Sequence, residues 1–554
     1  MCGIFALLYD EDDRNINDEN ISKTIMKGQK RGPENSVIET YKKNSSSITF
    51  GFHRLAINGL NEVSNQPISH NKLKLICNGE IYNFKQLFES FKIVPKTNSD
   101  CEIITCLYDL CKMNCVSMLD GVFSFIIYDE ETNQVCVARD PYGVRPLYEC
   151  YYENNHIGFS SDLEPLCFQK IKYIRSFLPG SYSIYNVNPQ TNKWNMIHHE
   201  QYFFNNSYLQ PYIPSEKKTI EFYMYTFVEK LKSSIKKRVE NCERTIASLL
   251  SGGLDSSIVS AYVSKFYKEK TGQTLETYSI GLKDAEDLTF SKQVSSFINS
   301  NHNEIIMTND DFINSIPNVI KDIESYDTTT VRASVGNWNI GKYIKENSDA
   351  KVIFNGDGAD ELAGGYLYFH LCPNNEEFDK ECKRLLKDIH IFDVRRSDKC
   401  ISSHGLEPRT PFLDKEMTRF YLSIPIEYRN HTKNNQCEKY FIRKSIELYD
   451  SNLLPKEILW RKKEAFSDGV SSQNKSWFEI IQDYIEECQN TQCFNNTYTC
   501  NIPKTKEQKY YRELFRHYFP DKCDELIPYF WMPKYVSNSY DASARTLDIY
   551  NKKS

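Results

Sequence analysis

Seven residues, Ser251-Gly-Gly-Leu-Asp-Ser-Ser257, limit what this chain can build around them. They follow Thr245-Ile-Ala-Ser-Leu-Leu250, a short and mostly apolar run that predicts a buried strand. They precede Ile258-Val-Ser-Ala-Tyr-Val-Ser-Lys-Phe-Tyr267, whose spacing predicts a helix. A loop between a strand's end and a helix's start gathers unpaired backbone N–H groups and the positive end of the helix dipole, which favours a phosphate. Gly252 and Gly253 let the backbone approach an anion closely, and Ser251, Ser256 and Ser257 add hydroxyl donors. No Gly-Lys-Ser/Thr follows, so this is not a Walker loop. Asp255 needs its own explanation. A carboxylate beside phosphates is repelled unless a cation lies between them, so Asp255 implies Mg²⁺. The plainer alternative is an ordinary Gly-Ser turn with a capping side chain.

A second acidic loop follows the apolar run Val352-Ile-Phe354. It reads Asn355-Gly-Asp-Gly-Ala-Asp-Glu-Leu-Ala-Gly-Gly-Tyr366. Three carboxylates within five residues are unfavourable unless a cation gathers them. Between the two loops, Thr328, Thr329 and Thr330 with Arg332 offer hydroxyls and a positive fork suited to phosphate or carboxylate. Thr277–Leu282 predicts another strand, and the alternation of strands with helices predicts an α/β domain with a parallel sheet.

The chain has 554 residues, so two or more domains are expected. Net charge is −6, which argues weakly against a nucleic-acid surface. No apolar run reaches transmembrane length, and the N-terminus does not read as a signal peptide. The 18 cysteines are scattered without a Cys-x-x-Cys pair, which predicts a reducing compartment, the cytoplasm. Cys101, Cys106, Cys111 and Cys115 read as helix-packing thiols rather than a zinc site. The stretch Asn205–Ser215 is polar with two prolines and reads as a linker. After it, Ile220, Tyr223, Phe227, Leu231, Ile235 and Val239 recur at helical spacing.

The chain opens Met1-Cys2-Gly3. Removing Met1 would give Cys2 both a thiol and a free amine, whose reference pKa is about 7.7–8.0. That amine could take the thiol proton and activate the sulfur. Downstream stand Arg31-Gly-Pro-Glu34, Gly51-Phe-His-Arg-Leu-Ala-Ile57, Asn78-Gly-Glu-Ile-Tyr-Asn83, Ser99-Asp100 and Arg139-Asp-Pro-Tyr-Gly-Val-Arg-Pro-Leu-Tyr148. As a set these resemble the glutamine amidotransferase domain with an N-terminal cysteine nucleophile. The resemblance implies a four-layer α/β/β/α sandwich over residues 2–205, with strand-like runs at Lys72–Cys77, Phe123–Tyr128 and Val135–Ala138. It implies that Arg54 takes the α-carboxylate of glutamine and Asp100 its α-ammonium. Asn78 and Gly79 would form the oxyanion hole, and Leu55, Ala56, Ile57, Asn58 and Glu80 would line the pocket. Departures are Lys30 where the family has His, Asn98 where it often has Gly, and Asp162 where it has Glu.

The Ser251 loop resembles the pyrophosphate loop of the ATP pyrophosphatases, and the whole chain resembles glutamine-hydrolysing asparagine synthetases of eukaryotic type. That resemblance implies a second domain, residues 206–554, with a parallel sheet. Its ATP site would use Leu249, Ser251, Gly252, Gly253, Asp255, Ser256, Ile280, Asn355 and Gly356. Asp255 and Asp360 would hold Mg²⁺. Lys463, inside Trp460-Arg-Lys-Lys-Glu-Ala-Phe-Ser-Asp-Gly469, would bind the phosphates together with Arg332. Asp357 stands where close members have Glu, and Asn355 where they have Ser. Pro411-Phe-Leu-Asp414, Glu438-Lys439, Tyr529-Phe-Trp-Met-Pro533 and Ser543-Ala-Arg-Thr-Leu547 also recur in the family. The implied partners are glutamine, aspartate and ATP, with no nucleic acid or membrane; a homodimer is left open. Cys2 argues against the related β-lactam-forming synthetases, and the Ser251 loop against amidotransferases that make amino sugars or phosphoribosylamine. A non-catalytic sensor of glutamine or ATP would be expected to lack some of these groups.

Overall fold

Strands dominate the chain up to Gln201 and pair into two six-stranded antiparallel sheets. In the computed structural model the described residues are all but 11–17, 44–45, 205–217, 435, 464–468, 472–474, 490–496, 537–540 and 548–554. The first sheet runs Ile171–Ser176, Tyr148–Tyr152, Ile157–Ser160, Gly3–Asp10, Ser46–Arg54, Asn35–Lys43. The second runs Trp194–Gln201, Ser181–Val187, Gln134–Arg139, Gly121–Asp129, Leu73–Ile81, Ile68–His70.

Alternation along Gly3–Asp10 explains the layering, because successive side chains leave opposite faces of a strand. Ile4, Ala6 and Leu8 pack between the sheets against Ile76, Ile126 and Val137. Phe5, Leu7 and Tyr9 face the other way, where Ile21 and Ile25 of the helix Asp18–Ile25 cover them. On the far side, Ile103, Ile104 and Leu107 of the helix Glu102–Cys111 cover Leu75, Cys77 and Phe125. The result is the expected α/β/β/α stack. Cys101, Cys106 and Cys115 are buried in that helix packing and Cys111 is half-buried.

The second half is built on a five-stranded parallel sheet, ordered Asn301–Met307, Glu276–Leu282, Ile246–Leu249, Val352–Phe354, Glu407–Arg409. Both faces are covered, as parallel sheets require. Ile246, Val352 and Phe354 pack towards the helices Ile220–Glu240 and Leu254–Thr271. Ala247 and Ile353 pack towards Asn309–Ile323 and Thr328–Asn347. The helix predicted from Ile258 begins four residues earlier, at Leu254, because Gly253 takes the N-cap and the loop itself winds the first turn. The last strand of the first half ends at Gln201 and the next helix starts at Ile220; the predicted linker lies outside the described residues. No described helix is long and apolar enough to cross a membrane.

The halves share one core. Leu55, Ile57, Tyr142 and Val144 pack in the same cluster as Phe227, Leu231 and Val259. Buried ion pairs also cross: Arg145 to Glu407, Arg409 to Glu80, and Lys399 to Asp162.

Candidate functional site

Ligands of parallel sheets gather at the carboxyl ends of strands, and here the Ile246–Leu249 and Val352–Phe354 strands lead into one cavity of about 230 Å³. Leu249, Ser251, Gly253, Asp255, Ser256, Ile280, Asn355, Gly356, Asp357, Asp360 and Lys463 all line it. Gly253 caps the Leu254–Thr271 helix without a side chain, so no carboxylate or hydroxyl of its own blocks the first-turn amides. Ser251 and Ser256 share a hydrogen bond of 3.0 Å between their hydroxyls, and Ser251 Oγ accepts from the Gly253 N–H at 3.3 Å. Gly252 adopts φ +74, and an added Cβ would meet Phe290 Cβ at 2.5 Å. Gly356 lets the second loop close on the first, since a Cβ there would lie 2.8 Å from Asp255 Cβ.

The two loops bring Asp255 and Asp360 together, with lysines between them. Lys439 Nζ bridges both carboxylates, contacting Asp255 Oδ2 and Asp360 Oδ1. Lys463 Nζ donates to Asp360 Oδ2 at 2.6 Å. Burial alone would raise the Asp360 carboxyl, but Lys439 and Lys463 outweigh it and hold it well below its usual range. Asp255 Oδ1 is buried with no donor. Among the described residues no third His, Cys, Asp or Glu joins these two. Paired carboxylates with a spare oxygen fit Mg²⁺, which takes few protein ligands and completes its shell from phosphate and water.

Lys439 is the residue that reading the sequence left without a role. It sits in the left-handed region at φ 57, at the N-cap of the helix Tyr440–Tyr449, and is 1% exposed. A non-glycine residue held there needs surrounding structure to enforce it. Gly365 helps, because any Cβ there would collide with Lys439 Cε. Arg396, Glu361 and Trp531 also line the cavity without having been singled out as site residues. Arg396 Nη2 pairs with Asp357 Oδ1 at 3.0 Å, which leaves Asp357 Oδ2 buried and without a donor. Asn355 Nδ2 donates to Ser397 Oγ at 2.7 Å. Thr329 and Thr330 line the cavity, and the Trp531 N–H donates to Asp327 Oδ1 at 2.7 Å, closing one wall.

Three residues expected at the phosphates do not line this cavity. Arg332 lies outside the cavity lining, clamped by Glu507 at 2.6 Å and Asp541 at 2.7 Å. Long charged side chains choose partners from the whole fold, and two carboxylates distant in sequence outcompete a local role. Gly252 also lies outside the lining, turned against Phe290. Ser257 is fully buried behind the loop and its hydroxyl has no partner. Of the Trp460–Gly469 block, residues 464–468 lie outside the described residues.

The second candidate site lies in the antiparallel half. Cys2 is half-buried, and its thiol donates to the Leu55 carbonyl at 3.6 Å. Burial raises this thiol to about 11, against the lowering effect of the terminal ammonium. Burial lowers the Met1 amine to about 6. Both shifts come from burial of the N-terminus and favour the uncharged form of each group while Met1 is in place. Asn78 is fully buried in the strand Leu73–Ile81, and neither its amide nitrogen nor its oxygen has a partner. A buried orphan amide is unfavourable in a resting protein and points to a ligand. Gly79 has no room for a side chain, since a Cβ would meet Val122 O at 2.5 Å.

Asp100 Oδ2 accepts from the Ile81 N–H at 2.6 Å; burial raises the carboxyl to about 6 although that amide pulls it down. Glu80 accepts from Asn58 Nδ2 at 2.7 Å and pairs with Arg409 at 3.1 Å. Leu55, Ala56 and Ile57 are buried. The Ala56 N–H donates to Glu34 at 2.7 Å, and the Ile57 carbonyl accepts from the Glu243 N–H at 3.1 Å. The Arg54 guanidinium donates to Asn61 O at 3.1 Å, to Asn65 and to Gly59 O, so it shapes the 59–65 loop.

Residues 1–194 match the family model of a glutamine amidotransferase domain. Residues 226–378 and 371–537 match the model of asparagine synthase. Over 572 residues the chain is 41% identical to the asparagine synthetase [glutamine-hydrolyzing] of Gallus gallus, covering 99% of each chain. It is 40% identical to the proteins of that name from Cricetulus griseus and Homo sapiens, again over 99% of each chain.

Proposed function

The chain belongs to the glutamine-hydrolysing asparagine synthetases, and on that premise we propose how its residues divide the chemistry between two sites. The enzyme makes asparagine from aspartate in an ATP-dependent reaction, with glutamine as nitrogen donor. The observation that carries the site assignment is the convergence of the Ser251 loop, Asp255, Asp360 and Lys463 on one cavity.

In the first site, residues 2–205, Cys2 without Met1 attacks the side-chain amide of glutamine. Its own amine takes the thiol proton and returns it to the departing ammonia, and water then hydrolyses the glutamyl thioester left on Cys2, releasing glutamate and restoring the thiol. The Asn78 amide and the Gly79 N–H receive the oxyanion that forms on the carbonyl carbon. Arg54 and Asp100 hold the α-carboxylate and α-ammonium, and Leu55, Ala56, Ile57, Asn58 and Glu80 shape the pocket.

In the second site, residues 206–554, the first-turn amides and the Ser251 and Ser256 hydroxyls bind the ATP phosphates. Leu249 and Ile280 flank the base. The β-carboxylate of aspartate attacks the α-phosphorus, giving β-aspartyl-AMP and pyrophosphate, and ammonia then displaces AMP. Asp255 and Asp360 would hold Mg²⁺, which supplies charge neutralisation on the polyphosphate. Lys463 counters charge on the leaving pyrophosphate. Arg332 joins it in our reading only if its clamp with Glu507 and Asp541 opens. Asp357, which pairs with Arg396, would take a proton from the attacking ammonia. The scattered cysteines support a reducing compartment, the cytoplasm.

The test supplies aspartate, ATP and Mg²⁺ with either glutamine or ammonium, to wild type and Cys2→Ala. Asparagine and pyrophosphate should form from both donors in wild type and only from ammonium in the variant. Pyrophosphate release without asparagine would move the acceptor away from aspartate. No release under any condition would overturn the synthetase site.

A further inference from the structure

Arg31 belongs to the glutaminase half but is finished by the other one. It is fully buried, and its Nε donates to the Cys2 carbonyl at 3.1 Å. Its Nη2 donates to Asp398 Oδ1 at 2.8 Å and its Nη1 to Ser402 Oγ at 2.9 Å. Asp398 and Ser402 both lie on the helix Asp393–Ser402 of the synthetase half. Asp162, on the glutaminase side, holds Nη1 more loosely at 3.2 Å. The backbone of the nucleophile is therefore anchored through one guanidinium to a helix about 370 residues away, a link that planar bidentate donors suit. On that same helix, Arg396 and Ser397 grip Asp357 and Asn355 of the ATP loop. Successive residues of one helix thus touch both sites.

We propose that Asp398 is a positioning residue for glutamine hydrolysis: it sets the place of Cys2 by fixing Arg31. The inference rests on Cys2 being the nucleophile. Its physical basis is the steep dependence of attack on alignment, where a misplacement of about 1 Å reduces rate by roughly a hundredfold. With Asp398 neutral, Asp162 is the remaining carboxylate in contact with Arg31, and the guanidinium shifts towards it, taking the Cys2 carbonyl along.

The experiment compares Asp398→Asn and Asp398→Glu with wild type and Cys2→Ala in the full chain. Three rates are read: glutamate release from glutamine, asparagine formation from ammonium, and alkylation of Cys2. Alkylation uses a glutamine-shaped diazoketone, which requires the bound geometry, and iodoacetamide, which does not. Asp398→Asn should lower kcat for hydrolysis roughly tenfold with KM within about twofold, and slow the diazoketone but not iodoacetamide. Ammonium-driven synthesis should stay within about twofold, and Asp398→Glu should recover part of the hydrolysis. Unchanged hydrolysis in Asp398→Asn, or a parallel fall of hydrolysis and ammonium-driven synthesis in both variants, overturns the proposal. If Asp398→Asn does not fold, the same split in Asp398→Glu decides it. Glutamine hydrolysis surviving in Cys2→Ala would instead sink the nucleophile assignment, and the role of Asp398 with it.

Discussion

Asp100 illustrates how burial at a single residue prepares a group for a charged ligand. Its carboxyl is raised to about 6 by desolvation, and the Ile81 amide limits the rise. Below pH 6 it is mostly protonated and has no charge to offer the α-ammonium of glutamine. The binding consequence is separable from catalysis in Cys2→Ala, which retains the pocket. There the Kd for glutamine should rise by up to about tenfold per unit as pH falls below 6, and Asp100→Asn in the same background should lose that dependence. Calorimetric titration between pH 5 and 8 measures it, and a flat profile would remove Asp100 from the ammonium site. Asn78 tells the complementary story, since an orphaned buried amide is tolerable only if something periodically satisfies it.

Elements are joined by single carboxylates in this protein, and Asp414 joins two helices. It caps Lys415–Ser423 by accepting from the Glu416 and Met417 N–H groups. It also pairs with Arg238 at 2.8 Å and with Lys237 on the helix Ile220–Glu240. Burial would raise its pKa, but those two cations dominate and hold it down to about 2, from an ordinary 3.8. A carboxyl with a depressed folded pKa stabilises the fold above its unfolded pKa, and that contribution disappears as pH falls through the folded value. Asp414→Asn keeps the cap but not the charge. It should be less stable than wild type by about 2 kcal/mol at pH 6, with the gap closing between about pH 4 and 2. Urea unfolding at a series of pH values reads this out; a gap that persists at pH 2 would contradict the ion-pair account.

At the scale of the molecule, the two halves are held by a buried charge network as well as by apolar contact. Lys399 is its centre, 1% exposed and set between Asp162 at 2.8 Å and Glu324 at 2.7 Å. Two of the departures from the family pattern sit at this seam. Lys30 pairs with Asp322 at 3.1 Å in an exposed position and contributes little, whereas Asp162 is part of the buried network. Lys399→Met would leave Glu324 without its cation and Asp162 with Arg31 as its remaining one. It should destabilise the fold by about 3–5 kcal/mol and lower the melting temperature in calorimetry. A change below about 1 kcal/mol would show that apolar packing alone holds the seam.

Much of this was legible along the chain. The strand, glycine loop and helix around Ser251 read directly from periodicity and glycine placement, and only the helix start was off, because Gly253 supplies the cap. Asp255, Asp360 and Lys463 were readable from local chemistry and a matched pattern, and they do meet in one cavity. Partner choice by long charged side chains was not legible. Lys439 bridging Asp255 and Asp360, Arg332 drawn to Glu507 and Asp541, and Arg31 reaching Asp398 each join residues far apart in sequence. Periodicity and loop chemistry are local properties of sequence. Which carboxylate a buried cation satisfies is decided by where packing brings the strands and helices that carry them.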